Sequence, residues 1–536
     1  MRERDSLTTT AHANVLGSAH ERTDATMIDG SSRALLLGGA PLTIAEVVAV
    51  ARTGRAVELG SHAREAVARA RGVIERKIST GSAIYGLNTG FGSLSHVRIE
   101  KDQIKALQSN IVRSHAAGVG EPLPIETVRA MLLCLAASLA RGASGVRVCV
   151  VERLIAMLNT GIVPVIPSRG SVGASGDLAP LAHAALTLFA EGEVFFKGTR
   201  VPTTEAFAAL GLAPMELEEK EGLALLNGTH LMAGMGALLV ADVRRLFDAA
   251  VIAGALAFDA AKASDSFLHP ALHALRKQPG QIAVAEKLRA LTKGSAILQS
   301  HQNPEDFRVQ DPYCLRCMPQ VLGAAKDAID YASTAIEREL GAVTDNPLVV
   351  GDDLVSGGNF HGMPLAIPLD LLAIAIAHIA GISERRTYWV LSAQDRYVAH
   401  TPYLAPMAGL HSGLMIAQYT AAACVNEIVT LCNPSSVANV VTSAGIEDYN
   451  SFGPASAFKL KQCIARATSV VAIEVLTMCE GIEAHRPLRS SAALESVHAK
   501  VRAVVPRLTE DRSPAPDIAA IEAMIERGDC AAISQD

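Results

Sequence analysis

One stretch constrains this chain more than any other: Gly170-Ser171-Val172-Gly173-Ala174-Ser175-Gly176-Asp177-Leu178-Ala179-Pro180-Leu181. Its first seven residues carry no large side chain except Val172, and the glycines at 170, 173 and 176 let the backbone double back tightly. At Asp177 the pattern switches. Leu178, Leu181, Ala182, Ala185, Leu186 and Phe189 fall on one helical face. Asp177 is a good N-cap, and Pro180 lies in the first turn, where a missing N–H costs little. The sequence therefore aims a sharp, small-residue turn at the positive end of a buried helix. Such an end favours negative charge, or an electron-poor group that must accept electrons.

The surroundings of the turn call for a mostly α fold. The chain has 536 residues, 49% of them hydrophobic but only 4% aromatic, and Ala and Leu are abundant, which favours long helices over strands. Apolar periodicity predicts helices over 42–53, 61–80, 103–113, 125–140 and 146–159, then from the turn to about 191. Residues 193–197 look like the one clear strand of that region. Beyond 222 the pattern is almost continuously helical, over 224–263, 318–341, 363–394, 408–431, 455–481 and 489–505. Helices of that length predict a bundle whose members span the molecule. The expected organisation is a disordered tail over 1–34, a smaller N-terminal region over 35–222 that carries the turn, a helical bundle over 223–505, and a C-terminal tail with a short helix over 506–536.

Charge and cysteine content narrow the function classes. Lys plus Arg number 48 against 54 acids, a net charge of −6 with no basic tract, so nucleic-acid binding has no electrostatic footprint. Nine cysteines, an odd number scattered mostly through apolar helical contexts, read as reduced thiols of a cytoplasmic protein. Cys314-Leu315-Arg316-Cys317 has no second pair to complete a zinc pattern, and no metal is expected. Residues 1–30 are polar, without the apolar run of a signal peptide. The apolar run at 366–382 is broken by Asp370 and His378, and no membrane span is expected there.

The full string at 170–181 resembles the signature of the histidine, phenylalanine and tyrosine ammonia-lyase family, in which an Ala-Ser-Gly tripeptide cyclises by itself. The resemblance implies that Ala174-Ser175-Gly176 becomes methylidene-imidazolone (MIO), with no external cofactor. Gly176 nitrogen would attack the Ala174 carbonyl, and two waters would leave. Further strings match the family in order between about 40 and 490. Tyr85, in Tyr85-Gly86-Leu87-Asn88-Thr89-Gly90-Phe91-Gly92, is similar to the mobile-loop catalytic base. Ser114-His115-Ala116-Ala117-Gly118 resembles the segment that meets the substrate side chain. Asn227, in Leu225-Leu226-Asn227-Gly228-Thr229, matches the asparagine beside MIO. The string from Gln310 to Arg316 matches one supplying glutamine, tyrosine (Tyr313) and a carboxylate-binding arginine. Asn346, Phe360 and Glu447 complete the pocket by resemblance. The family also implies a homotetramer whose pockets are assembled from several chains.

These residue types suit the chemistry. Removing ammonia from an α-amino acid requires breaking a β C–H bond of very low acidity and expelling a poor leaving group. An electrophile that binds the amine addresses the second problem. A tyrosine addresses the first if its surroundings lower a pKa near 10. Arg316 can hold a carboxylate through its planar fork, and by resemblance Tyr313, counted with the catalytic residues, and Asn227 would support the amine and MIO ends. By resemblance, Ser114-His115 with Glu447 is the histidine-type pattern, and a carboxylate suits an imidazole, which can donate from nitrogen; beside a bare phenyl ring it would lack a partner. The expected reaction is L-histidine to trans-urocanate. Gly445-Ile446-Glu447-Asp448-Tyr449 departs from the histidine type, and Asn450-Ser451-Phe452-Gly453 looks more like the phenylalanine type. Tyrosine or phenylalanine as substrate therefore stays open, as does an aminomutase that re-adds the amine at the β carbon. The non-enzymatic alternative is a helical scaffold.

Overall fold

In a computed structural model, the structure describes residues 33–79, 89–90, 92–300, 310–395 and 397–530. The expected tail falls almost wholly outside these residues, and so does Tyr85. The mostly α expectation holds. Among the described residues there are nineteen α-helices and only short strands.

The longest helices form the core. His230–Ala260, Met363–Ser392 and Gly453–Glu483 pack on one another, with Met318–Glu339 and Met415–Leu431 beside them. A helix of 31 residues such as His230–Ala260 runs about 46 Å. From Leu246 to Ala260 nearly every residue is buried, because neighbours cover the helix all round rather than along one stripe. Met363–Ser392 and Gly453–Glu483 are long and apolar enough to cross a membrane, yet 61% and 78% of their most apolar windows are buried inside the fold.

Several sequence expectations need correction. The run at 224–263 is two helices, Glu221–Leu226 and His230–Ala260, because Asn227 takes an extended backbone and Gly228 sits at φ 138°. The Asn227-Gly228 dipeptide within the apolar run was the available signal of that break. The helix expected from 408 starts at Met415. Pro270–Arg276 and Pro279–Thr292 are further helices, each with proline in its first turn. The strand at 193–197 has company. Glu193–Phe196 lies between Val163–Pro164 and Thr199–Pro202, and parallel Leu35–Leu37 and Val57–Leu59 form a separate pair. Antiparallel Val119–Pro122 and Pro167–Arg169 join the end of helix Ile104–His115 to the start of the glycine turn.

Candidate active site

The turn is held from four sides by the starts of four helices. Helix Leu178–Leu186 begins at its end, with Asp177 as N-cap. The Asp177 carboxylate does not cap that helix, however; it caps another. Its Oδ2 accepts from the Leu231 and Met232 N–H groups at 3.0 and 3.1 Å, in the first turn of His230–Ala260. Its Oδ1 accepts from Ser171 Oγ at 2.9 Å, closing the loop on itself. Gly362, the N-cap of Met363–Ser392, donates its N–H to the Gly173 carbonyl at 3.1 Å. Phe452, the N-cap of Gly453–Glu483, donates to the Val172 carbonyl at 2.9 Å, and Ser451 Oγ donates to the Gly173 carbonyl at the same distance. Each helix start carries roughly half a positive charge, so the turn sits where electron-poor chemistry is favoured.

The fit of the 174–176 tripeptide to a cyclised group rests on close approach. Gly176 has φ 72° and pairs with Gly228, and a Cβ there would lie 2.1 Å from the Gly228 carbonyl oxygen. Only glycine fits. Ala174 is buried at 4% exposure, while Ser175 lines a cavity of about 990 Å³. Asn227, with its amide turned to satisfy both of its groups, donates to the Ser175 carbonyl at 2.8 Å and accepts from the Asn346 N–H at 3.3 Å. Burial raises Asp177 to about 7, in spite of its three donors. Burial likewise lowers His230, at the base of the turn, to about 3. Both groups thus resist carrying full charge next to the turn.

The cavity gathers most of the residues singled out in the sequence. His115, Ala174, Ser175, Asn227, Asn346, Phe360 and Glu447 all line it, with Gly90 and Gly92 from the loop that follows Tyr85. Burial lowers the His115 pKa, against the upward pull of the Ile111 carbonyl and the Glu447 charge. Gln310, Tyr313 and Arg316 do not line it. They form a separate strip in which Arg316 donates from Nε to the Asp311 carbonyl at 3.0 Å and from Nη2 to Gln310 Oε1 at 2.9 Å. The guanidinium stacks 4.4 Å from the centre of the Tyr313 ring, and Tyr313 is 69% exposed.

Sequence reasoning passed over His361. It lines the cavity, accepts the Met363 N–H at Nδ1 (3.3 Å), and so presents Nε2–H to the Tyr449 carbonyl at 3.1 Å. It ties the segment bearing Glu447 to a helix start. Its place directly after Phe360 was the available signal. Lys220 and Asp345, behind the two asparagines, were also missed.

The family described as aromatic amino acid lyase matches residues 42–503. Histidine ammonia-lyase of Anaeromyxobacter sp. (strain K) is 46% identical over 503 residues, covering 92% of this chain and 99% of its own. The crystal structure of histidine ammonia-lyase from Trypanosoma cruzi superposes with a TM-score of 0.86 at 36% identity, over 93% of this chain and 94% of that one. A tyrosine aminomutase from Streptomyces globisporus superposes with a TM-score of 0.88 at 34% identity, over 93% and 98%. With the glycine turn, the helix starts around it and a match along most of its length, the chain belongs to the aromatic amino acid lyase family.

Proposed function

We propose that this carbon–nitrogen lyase eliminates ammonia from L-histidine to give trans-urocanate, with an electrophile made from its own Ala174, Ser175 and Gly176. The observation that carries the substrate is the meeting of His115 and Glu447 in one cavity with Ala174 and Ser175. Likeness to histidine ammonia-lyases over nearly the whole chain supports the same reading.

A methylidene-imidazolone formed from Ala174, Ser175 and Gly176 would supply an electron-poor carbon able to activate the substrate amine for departure. Asn227 steadies the Ser175 end through its amide. Tyr85, as phenolate, accepts the β proton; the electron pair of that C–H bond becomes the new double bond, and nitrogen departs with the pair of the C–N bond. The four helix starts favour electron flow toward the turn. Glu447 accepts from an imidazole N–H, an interaction that a phenyl ring cannot offer. Arg316 grips the carboxylate, with Gln310 and Tyr313 beside it.

The Arg316 strip stands apart from the cavity of its own chain, and we read it as completing the cavity of another copy in a homotetramer. Exposed apolar side chains support this, among them Leu410 (72%), Val437 (80%) and Ile446 (66%), since surfaces of this kind mark association sites. Nine unpaired thiols suit a cytoplasmic setting.

The test supplies histidine, tyrosine and phenylalanine separately and measures ammonia and unsaturated acid. Equal amounts of the two, fastest from histidine, are expected. The likeness to a tyrosine aminomutase favours amine transfer to the β carbon as the second reading. A chiral β-amino acid among the products, or a preference for tyrosine, overturns the proposal.

A further inference from the structure

Lys220 and Asp345 form an ion pair cut off from solvent. Their side chains are 0% and 1% exposed, and Nζ lies 2.6 Å from Oδ2. Lys220 also holds a left-handed backbone, φ 75°, which residues other than glycine rarely adopt. Two costs meet at one residue. Buried charges lose their hydration, and replacing such a pair with well-packed apolar side chains is often neutral or stabilising. Backbone strain of this sort gathers where function over-determines it. Stability is therefore a poor explanation for the pair.

Its place in the chain offers a better one. Lys220 directly precedes helix Glu221–Leu226, which ends at Asn227, and Asp345 directly precedes Asn346. The second Asp345 oxygen, Oδ1, accepts the Asn346 N–H at 2.5 Å, and that N–H also reaches the Asn227 amide oxygen at 3.3 Å. A parallel tie runs from the Thr229 N–H to Thr344 Oγ1 at 3.3 Å. On its other side the short helix is fastened by fully buried Glu221, which accepts from Arg147 Nε and Nη2 at 2.8 and 2.7 Å. The helix is thus a clamped spacer between a charge pair and an active-site amide. Neither Lys220 nor Asp345 lines the cavity.

We propose that Lys220 and Asp345 are positioning residues: their charge pair sets the Asn227 segment against the Asn346 segment and so holds the Asn227 amide on the Ser175 carbonyl. The proposal rests on reading 174–176 as the electrophile. It separates the role of the pair from stability, because misplacement of a group by about 1 Å can cost about a hundredfold in rate with the fold intact.

The test uses the full chain and the variant Lys220→Met/Asp345→Asn, which leaves no unpaired buried charge. Three quantities are measured: the thermal midpoint, the fraction of chains lacking two waters by intact mass, and kcat and KM per cyclised chain on whichever amino acid the wild type turns over best. The expected result is an unchanged midpoint and KM with kcat per cyclised chain lowered about ten- to a hundredfold. A kcat per cyclised chain equal to wild type, with a lowered midpoint, overturns the proposal. Where the double variant does not fold, Asp345→Asn alone keeps the volume and an acceptor for Lys220, and the same split in kcat decides. A coupling control combines the pair with Asn227→Ala. Once that amide is gone, removing the pair is expected to cost little more in kcat, whereas a fully additive loss overturns the proposal. Wild type that acts on another amino acid sinks the histidine reading alone. Active wild type without the two-water deficit sinks the electrophile.

Discussion

The glycine turn and the Arg316 strip are opposites. The turn is fastened within its own chain by four helix starts, Ala174 is buried, and Gly176 presses against Gly228. The strip is short, its helix is only Tyr313–Arg316, and its tyrosine is largely in solvent. One region is tied to three other parts of its own chain; the other is anchored through Asp311, whose Oδ2 accepts the Ser264 N–H at 2.8 Å, while the Arg316 guanidinium and the Tyr313 ring turn to each other at the surface. Under the proposed function, the difference means that the reacting centre and the carboxylate grip answer to different constraints. A centre that must be built by close approach has to be internal, while a grip can be lent by a neighbour.

The comparison breaks most sharply at Ser175. Wild type is expected to lack two waters by intact mass; Ser175→Ala has no hydroxyl to lose, so at least one is expected to return while nearly all turnover disappears. Active protein with the encoded mass would show that the turn is only a turn. Tyr85→Phe removes a proton acceptor alone and is expected to fold normally and lose about 10²–10⁴-fold in kcat. Retained activity would move the base elsewhere, with Tyr313 the next candidate.

The strip responds differently. Arg316→Lys replaces a fork by a point charge and is expected to raise KM and lower kcat, together about a hundredfold in kcat/KM, with the two-water deficit intact. Mixing Ser175→Ala with Arg316→Lys chains, unfolded and refolded together, is expected to give activity well above that of either variant alone. Failure to complement would put strip and turn to work in the same chain. At the ring end, Glu447→Gln is expected to cost about ten- to a hundredfold in kcat/KM for histidine and little for tyrosine or phenylalanine. A loss shared by all three substrates would remove Glu447 from ring selection.

The smallest effect concerns stability beneath the turn. His230 titrates near 3 in the folded chain and near 6.5 when unfolded, so the unfolded chain takes up that proton first as pH falls. The stability this residue contributes is present above about 6.5 and is lost as pH drops toward 3. His230→Gln is expected to shrink the fall in thermal midpoint between neutral pH and mild acid by a few degrees, read by calorimetry. An unchanged slope would show that other groups govern acid sensitivity.

How much of this the sequence disclosed follows from the range of each interaction. Helices with a clear apolar stripe were legible almost to the residue, as at Ser61–Ser79 and Ile125–Leu139. Strands of two to four residues, such as Val163–Pro164, are too short to show alternation. The glycine string marked the tight turn because small residues and a cap are local signals. Asp177 shows the limit of that logic: the cap is real, but its carboxylate serves a helix from another part of the chain. Lys220 and Asp345, 125 residues apart, leave no local trace at all. The partition of the site residues between one cavity and a separate strip was equally invisible, because it depends on where helices end in space.

The contact between Gly176 and Gly228 also sets an order of events in time. The two glycines belong to segments that meet only after helix His230–Ala260 has docked with its first turn on Asp177. Under the proposed function, cyclisation of 174–176 would wait for that packing. A newly made chain would therefore arm itself last, with activity lagging behind helicity after refolding. A chain that stalls halfway would carry no reactive group to be attacked by cellular amines and thiols.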